Sequence, residues 1–383
     1  MQYINVVVDN KSLNTDTFYT YAAPDEVQVG ARLSVPFARR KKPVDAYCVE
    51  TGVTPSFDPA KAKMIDSFDP DRSLSQEMID TALWMRKRYG VKYIDAIKMF
   101  TTAGKREPKR KYPAPDGDSQ DPEHVTVNDP GYELSEEQKH AADKICKYAG
   151  AKEFRAFLIK GVTNSGKTEV YMRTAEKVLS MGRSVIVLLP EIALAEQVKR
   201  RFEVRFGPEK VATLHSKLTT SAKLGEWLRI RRGEARIVVG ARTSVFAPFE
   251  DIGAVIIDEE HESTFKSDHN PKYDTVDIAY RRAMQHNAVL ILGSATPSVV
   301  TYYRACAGVY DLIEMKHRIG DSIMPELEIV DMRKETLAGN ISVISRKLAG
   351  EIDAALNRKS RSSFSLTGGA FQHRSSARTA VTR

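Results

Sequence analysis

Gly161-Val162-Thr163-Asn164-Ser165-Gly166-Lys167-Thr168 is the stretch on which the fold turns. It has the form GxxxxGK[ST], follows an apolar run at residues 157–160 and opens a helical segment, the context that a phosphate-binding loop requires. The glycines let backbone N–H groups curl around phosphate oxygens, and the start of the following helix adds its positive end. In such a loop Lys167 reaches the β- and γ-phosphates and the Thr168 hydroxyl ligates Mg2+. The whole run from Gly161 to Thr168 is therefore the candidate ATP cradle.

Working outward, compact apolar strands are expected at residues 156–159, 185–189, 237–239, 254–257 and 289–292. Helical spacing separates them at 168–181, 192–206, 221–232 and 275–285. Buried strands joined by crossover helices predict an α/β fold with a parallel sheet covered on both faces. Ligands in such sheets sit at the carboxyl ends of the strands. One strand there ends in Asp258-Glu259-Glu260-His261. Asp258 is placed to hold Mg2+ and Glu259 to position and deprotonate an attacking water. Alone, a strand ending in acids is common; after a phosphate-binding loop and three crossovers it becomes a second component of the same site. Gly293-Ser294-Ala295-Thr296-Pro297 follows another strand. Taken alone it is a strand-to-helix turn with a hydroxyl cap. Taken with the other two it is the Ser-Ala-Thr element of helicases.

Upstream, the first seventy or so residues hold short β-type runs at 3–8, 18–21, 32–35 and 44–49, punctuated by Pro24, Gly30 and Gly52. Residues 74–100 have helical spacing, interrupted near Gly90, and the polar, proline-rich segment at 101–132 reads as a linker. The chain of 383 residues is 42% hydrophobic and 28% charged, an ordinary composition for a soluble protein of two or three domains. No apolar run approaches a bilayer span, so no membrane is expected. Cys48, Cys146 and Cys306 stand isolated, which fits a cytoplasmic protein and argues against a disulfide framework or a zinc site in this chain. The net charge of +8 owes about half its size to Arg361, Arg374, Arg378 and Arg383 in an acid-free tail. The basic runs Arg39-Arg40-Lys41-Lys42 and Lys105-Arg106 read as solvated faces or linker until something else implies DNA.

From Leu134 to about Arg333 the chain resembles the first RecA-like helicase lobe of the PriA family, the bacterial primosomal replication-restart helicases. The residues carrying the resemblance are 161–168, Leu189-Pro190-Glu191-Ile192-Ala193-Leu194, His215-Ser216, 240–248, 258–261 and 293–297. Upstream, Tyr21-Ala22-Ala23-Pro24, 30–37 and the helix after Leu74 are similar as well. The resemblance implies a RecA-like P-loop lobe at 133–335, preceded by a small β-rich domain at 1–100 that holds a 3′ DNA end. It implies an ATP-dependent 3′→5′ DNA helicase acting at stalled or repaired replication forks and initiating primosome assembly. ATP and Mg2+ are the implied cofactors; forked and single-stranded DNA, other primosome proteins and single-stranded-DNA-binding protein are the implied partners. Lys167, Asp258 and Glu259 would be catalytic, and the segment from Leu134 to Gln138 would flank the adenine. Arg242 and Ser244 would touch the DNA backbone, while Phe265, Lys266 and Tyr273 would belong to an aromatic-rich loop sensing bound DNA. Without the family that loop also reads as a surface connection.

Departures from the family pattern carry their own expectations. Thr20 stands where an Asp is frequent, so selectivity for a 3′ end is open, and Tyr273-Asp274-Thr275-Val276-Asp277 differs from the usual run. A winged-helix domain is expected to be missing at 101–132. Residues 336–359 are expected to open a second lobe, and 360–383 to be a frameshifted tail. In a neighbouring reading frame the tail's allowed codons spell QVILLFNRRGFSAPFVCPDCGY, which resembles that second lobe and the first CxxC of the family's zinc site. A polypeptide without the second lobe is expected to bind ATP but to turn it over poorly. The alternatives are a non-catalytic, nucleotide-dependent fork-binding module or another superfamily 2 DNA translocase.

Overall fold

The computed structural model describes residues 1–10, 16–38, 40, 42–103, 133–190, 192–215, 217–319, 327–358 and 360, with residues 192–194 described by backbone alone. The expected linker from residue 104 to 132 and the tail beyond 360 lie outside the described residues, as do Arg39, Lys41, Glu191 and Ser216. The chain divides into two compact units, Met1–Asp321 and Ser322–Arg383.

The first unit begins with five antiparallel strands: β1 (Gln2–Val8), β2 (Phe18–Ala23), β3 (Arg32–Val35), β4 (Val44–Thr51) and β5 (Ser67–Asp69), in the order β2-β1-β4-β3-β5. Alternate side chains of a strand point to opposite faces. Ile4, Val6 and Val8 accordingly enter a small core with Tyr21, Leu33 and Cys48, whereas Val7, Tyr47 and Val49 face the other way into a second, larger core. Because both faces are buried at its end, β1 closes on the unbroken apolar run Val6-Val7-Val8. Two helices follow, α1 (Gln76–Tyr89) and α2 (Tyr93–Met99), and the Ser75 hydroxyl caps α1 by accepting from the Met78 N–H.

The rest of the unit alternates helix and strand: α3 (Glu136–Ala151), β6 (Arg155–Gly161), α4 (Lys167–Ser180), β7 (Ser184–Leu188), α5 (Ile192–Phe206), β8 (Val211–Ala212), α6 (Thr220–Arg231), β9 (Ile237–Gly240), β10 (Ile252–Asp258), α7 (Thr275–Gln285), β11 (Val289–Ser294), α8 (Val299–Cys306) and β12 (Asp311–Met315). The seven strands are parallel in the order β12-β6-β11-β10-β7-β9-β8. Phe157, Ile159, Val187, Val239 and Ile256 pack on one face with residues of α3, α4 and α5. Leu158, Leu188, Val238, Ile257 and Leu292 pack on the other with residues of α6 and α7.

That second face holds a result which residue order alone does not suggest. Met78, Ile79, Ala82 and Met85 of α1, with Ile94 and Ile97 of α2, belong to the same core as Trp227 of α6 and Ile278 of α7. The Trp227 indole N–H donates to the Phe100 carbonyl at 2.8 Å, and the Phe100 and Phe246 rings meet edge to face at 5.1 Å. The helices that end the β-rich segment in sequence thus complete the core of the parallel sheet in space. In the second unit, α9 (Met332–Leu337) and α10 (Arg346–Asn357) are capped by Asp331 and Ser345, and neither helix buries a residue. Among the described residues no helix is long and apolar enough to cross a membrane.

Candidate nucleotide-binding site

Strand β6 ends at Gly161 and the chain turns tightly into α4, whose first residue is Lys167. Asn164 adopts a left-handed φ of 65° and Gly166 one of 82°, conformations in which successive N–H groups converge. The left-handed φ favours glycine at Gly166, and a Cβ there would stand 1.9 Å from Nε2 of Gln138, which would have to move. The Lys167 ammonium is buried and donates to the Gly161 carbonyl at 3.1 Å, folded back over its own loop. The Ser165 hydroxyl is buried without a hydrogen-bond partner inside the loop, a polar atom that a bound phosphate oxygen would satisfy. The residues present therefore fit a nucleotide phosphate.

The register of the sheet brings the acids beside this loop. Strand β11 lies between β6 and β10, with Gly293 paired to Ile159 on one side and to Asp258 on the other. All three motifs thus open onto one edge at neighbouring strand ends. Glu259 carries a left-handed φ of 50°, the kind of strained backbone found at functional turns. Its Oε1 lies 3.6 Å from the Lys167 ammonium and its Oε2 3.6 Å from His261 Nδ1. Burial holds the Asp258 carboxyl above its ordinary value, against the opposing pull of a hydrogen bond from Tyr171 and the charge of Lys167. Two carboxylates against one ammonium leave an excess of negative charge, and oxygen ligands of this kind suit Mg2+. Thr168, in the first turn of α4, and Asp258 are the groups that would hold it. Among the described residues no cluster of three or more His, Cys, Asp or Glu side chains is placed to hold another metal.

Around this centre the remaining residues divide by role. His261 Nδ1 meets the Ser294 hydroxyl at 2.8 Å, linking the acid strand to the Ser-Ala-Thr turn. Glu260 is buried and accepts from the Ser298 N–H at 2.7 Å and from the Thr301 hydroxyl at 2.9 Å, so it anchors the start of α8. Gln138 is buried at the capping box of α3, where the Ser135 N–H donates to its side-chain carbonyl, and its amide lies 3.4 Å from the carbonyls of Ser165 and Gly166. Past β12 the chain returns over the loop. Ile319 N–H donates to the Asn164 carbonyl at 2.8 Å, and His317 Nδ1 meets Glu137 at 2.7 Å. Sequence reasoning missed Glu260, Tyr171 and this return. Only Tyr171 carried a local signal, standing one helical turn after Lys167.

The five residues expected at DNA lie around one loop. Arg242 opens a 3-10 turn (Arg242–Phe246) and donates to the carbonyls of Thr264 and Lys266 at 3.2 and 2.9 Å. Lys266 is exposed. Ser244 is fully buried, its hydroxyl donating to the Leu214 carbonyl at 2.7 Å. Phe265 and Tyr273 are buried too, and the Tyr273 ring meets Phe246 at 5.1 Å. Of the five, Lys266 is thus exposed and Arg242 half-buried, while Ser244, Phe265 and Tyr273 are buried.

This fold and this edge define a class. Residues 135–304 match the family model of DEAD/DEAH box helicases, and residues 5–102 match that of the PriA 3′DNA-binding domain. The chain is 46% identical over 223 residues to the replication restart protein PriA of Bacillus subtilis (strain 168), covering 58% of this chain and 28% of that protein. With the PriA of Treponema pallidum (strain Nichols) it shares 44% over 221 residues, covering 58% of this chain and 32% of the relative. Over these residues the chain is similar to both proteins. It spans about a third or less of the length of the relatives it matches. Among solved structures, RecG bound to a three-way DNA junction aligns at 22% identity over 60% of this chain and 32% of that one, with a TM-score of 0.35.

Proposed function

We propose that this chain is the DNA-end-binding and ATP-binding part of a replication restart helicase, which in its whole form unwinds DNA in the 3′→5′ direction at stalled or repaired forks. The observation that carries the reading is the cluster at one sheet edge, where Lys167 and Glu259 stand 3.6 Å apart beside half-buried Asp258. Lys167 would leave the Gly161 carbonyl to meet the β- and γ-phosphates, Thr168 and Asp258 would hold Mg2+, and Glu259 would orient and deprotonate water. Bound Mg2+ supplies neutralisation of the charge that develops on the transferring phosphoryl group. Gln138 would carry the adenine contact, giving up its hold on the loop carbonyls.

These groups form one wall of a phosphate site, and phosphoryl transfer in motors of this kind draws further cationic stabilisation from outside the P-loop wall. The polypeptide is proposed to bind Mg–ATP through these groups. The β-rich segment and the cations Arg242 and Lys266 are proposed to bind single-stranded and forked DNA. The test measures binding of a fluorescent ATP analogue with Mg2+, together with ATP hydrolysis on a fork with a free or blocked 3′ end. Lys167→Ala is expected to weaken nucleotide binding by roughly tenfold or more, through loss of a charge-assisted contact to phosphate. Undiminished binding by that variant would overturn the site.

A further inference from the structure

We propose that Tyr171 is a positioning residue for the Asp258 carboxylate, and that residue 293 is glycine because the Tyr171 hydroxyl occupies the space a side chain would need. The inference rests on the reading of Asp258 as a magnesium-holding group. Lys167 and Tyr171 stand four residues apart on α4 and so project from one helix face. That face meets both acids: the Lys167 ammonium lies 3.6 Å from Glu259, and the Tyr171 hydroxyl donates to Asp258 Oδ1 at 2.9 Å. Tyr171 is 1% exposed, so no water competes for its hydroxyl and the bond pins the carboxylate in one rotamer.

Gly293 completes the device. It pairs with Asp258 across the parallel ladder, and a Cβ built there would stand 1.8 Å from the Tyr171 hydroxyl oxygen and 3.1 Å from Asp258 Oδ1. Gly293 has no left-handed φ, so its requirement is for space and not for backbone freedom. The first residue of the Ser-Ala-Thr turn, the metal-holding acid and the P-loop helix are thereby joined at one hydroxyl. A group that fixes the orientation of a metal-holding side chain affects metal affinity without touching the metal.

The experiment uses the full chain and a fluorescent ATP analogue, with Mg2+ titrated from an EDTA-buffered start. Tyr171→Phe keeps the ring and removes the hydroxyl. It is expected to raise the Mg2+ concentration for half-maximal effect by roughly tenfold, while metal-free nucleotide binding stays within about twofold of the unaltered chain. Gly293→Ala is expected to give a similar rise, and to add little in a Tyr171→Phe background because both changes break one bond. An unchanged Mg2+ requirement in Tyr171→Phe, with only the melting temperature lowered, would make the hydroxyl a satisfied core group and overturn the proposal. Additive effects of the two changes would overturn the role given to Gly293. If the unaltered chain binds no nucleotide at any Mg2+ concentration, the ATP site itself fails and this inference with it. If it binds normally and Tyr171→Phe changes nothing, only the inference fails.

Discussion

Glu77 on α1 and Arg282 on α7, 205 residues apart in sequence, form a two-pronged ion pair with both N–O distances 2.9 Å. Arg282 is wholly buried and spends a further N–H on the carbonyls of Val245, at 2.6 Å, and Ala247, at 2.9 Å. The pair thus fastens the helices after the β-rich sheet to the turn that carries Arg242. Removing one member of a buried pair leaves the other charged and unpaired, a loss of about 3–5 kcal/mol. Glu77→Ala is expected to lower unfolding stability by that amount in urea denaturation. A loss under about 1 kcal/mol would mean that water reaches Arg282 and that the fastening is weak.

The same pair sets an acid limit. Burial works to raise the Glu77 carboxyl, but Arg282 and a hydrogen bond from His286 outweigh it and bring it down from 4.5 to about 2. For an acid whose folded value is depressed, the stabilisation is full above its unfolded value and fades as pH falls toward the folded one. This part of the stability, on the order of 3 kcal/mol, is therefore expected to vanish between about pH 5 and pH 2. Melting temperature followed over that range should fall less steeply in Glu77→Gln than in the unaltered chain.

Because α1 and α2 share the core of the parallel sheet, the part that carries this sheet is not expected to be stable when cut at residue 133. Such a fragment would expose the faces of Trp227, Phe246 and Ile278 that Met78, Ile97 and Phe100 now cover. A contiguous apolar surface of that kind drives association. A fragment of residues 1–360 should run as a monomer on size exclusion and melt cooperatively, whereas 133–360 should aggregate. Equal behaviour of the two would show that the lobe closes its own core.

The difference between what local sequence carries and what it does not runs through this chain. β7, β9, β10 and β11 were legible because strands buried on both faces are unbroken apolar runs between turn residues. β8, two residues long, and edge strand β12, with Glu314 exposed, lack that signature and went unseen. α3 carries a local sign in its capping box, Ser135 with Gln138. At the site, Gly161–Thr168, Asp258 and Glu259 could be read from spacing because strand ends bring them together. The bond from Tyr171 to Asp258 spans 87 residues, and only strand register reveals it. The burial of Phe265 and Tyr273 likewise depends on a ring, Phe246, that another element supplies.

That burial separates two kinds of residue in the loop proposed to face DNA. Lys266 is exposed and on the proposed reading would act through charge, so Lys266→Ala is expected to weaken binding to single-stranded DNA evenly across sequences. The log–log slope against salt should become shallower by about one unit or less. Tyr273→Ala removes a buried ring beside Phe246, so it should act through folding, with a stability loss of about 3–5 kcal/mol. Should Tyr273→Ala leave stability intact and abolish DNA binding, the ring must turn outward to meet a base.

Asp258 places stability and function in opposition. Its carboxylate is taken largely out of water beside a second carboxylate, Glu259, and burial holds it above its ordinary value. An acid whose folded value is raised stabilises the fold only when protonated, so at neutral pH its ionised form is a net cost. Asp258→Asn keeps the shape and can still accept from the Tyr171 hydroxyl, while removing the charge. Without nucleotide the variant is expected to melt higher, by roughly 1–3 °C on the scale that relates free energy to melting temperature in domains of this size. With Mg2+ and ATP the order should reverse. The unaltered chain gains RT ln(1 + [L]/Kd), about 2.7 kcal/mol at a hundredfold excess over Kd, and the variant gains little. The check is a pair of melting curves for each protein, with EDTA and with Mg–ATP. If Asp258→Asn is stabilised by Mg–ATP as much as the unaltered chain, Asp258 is not a metal-holding group.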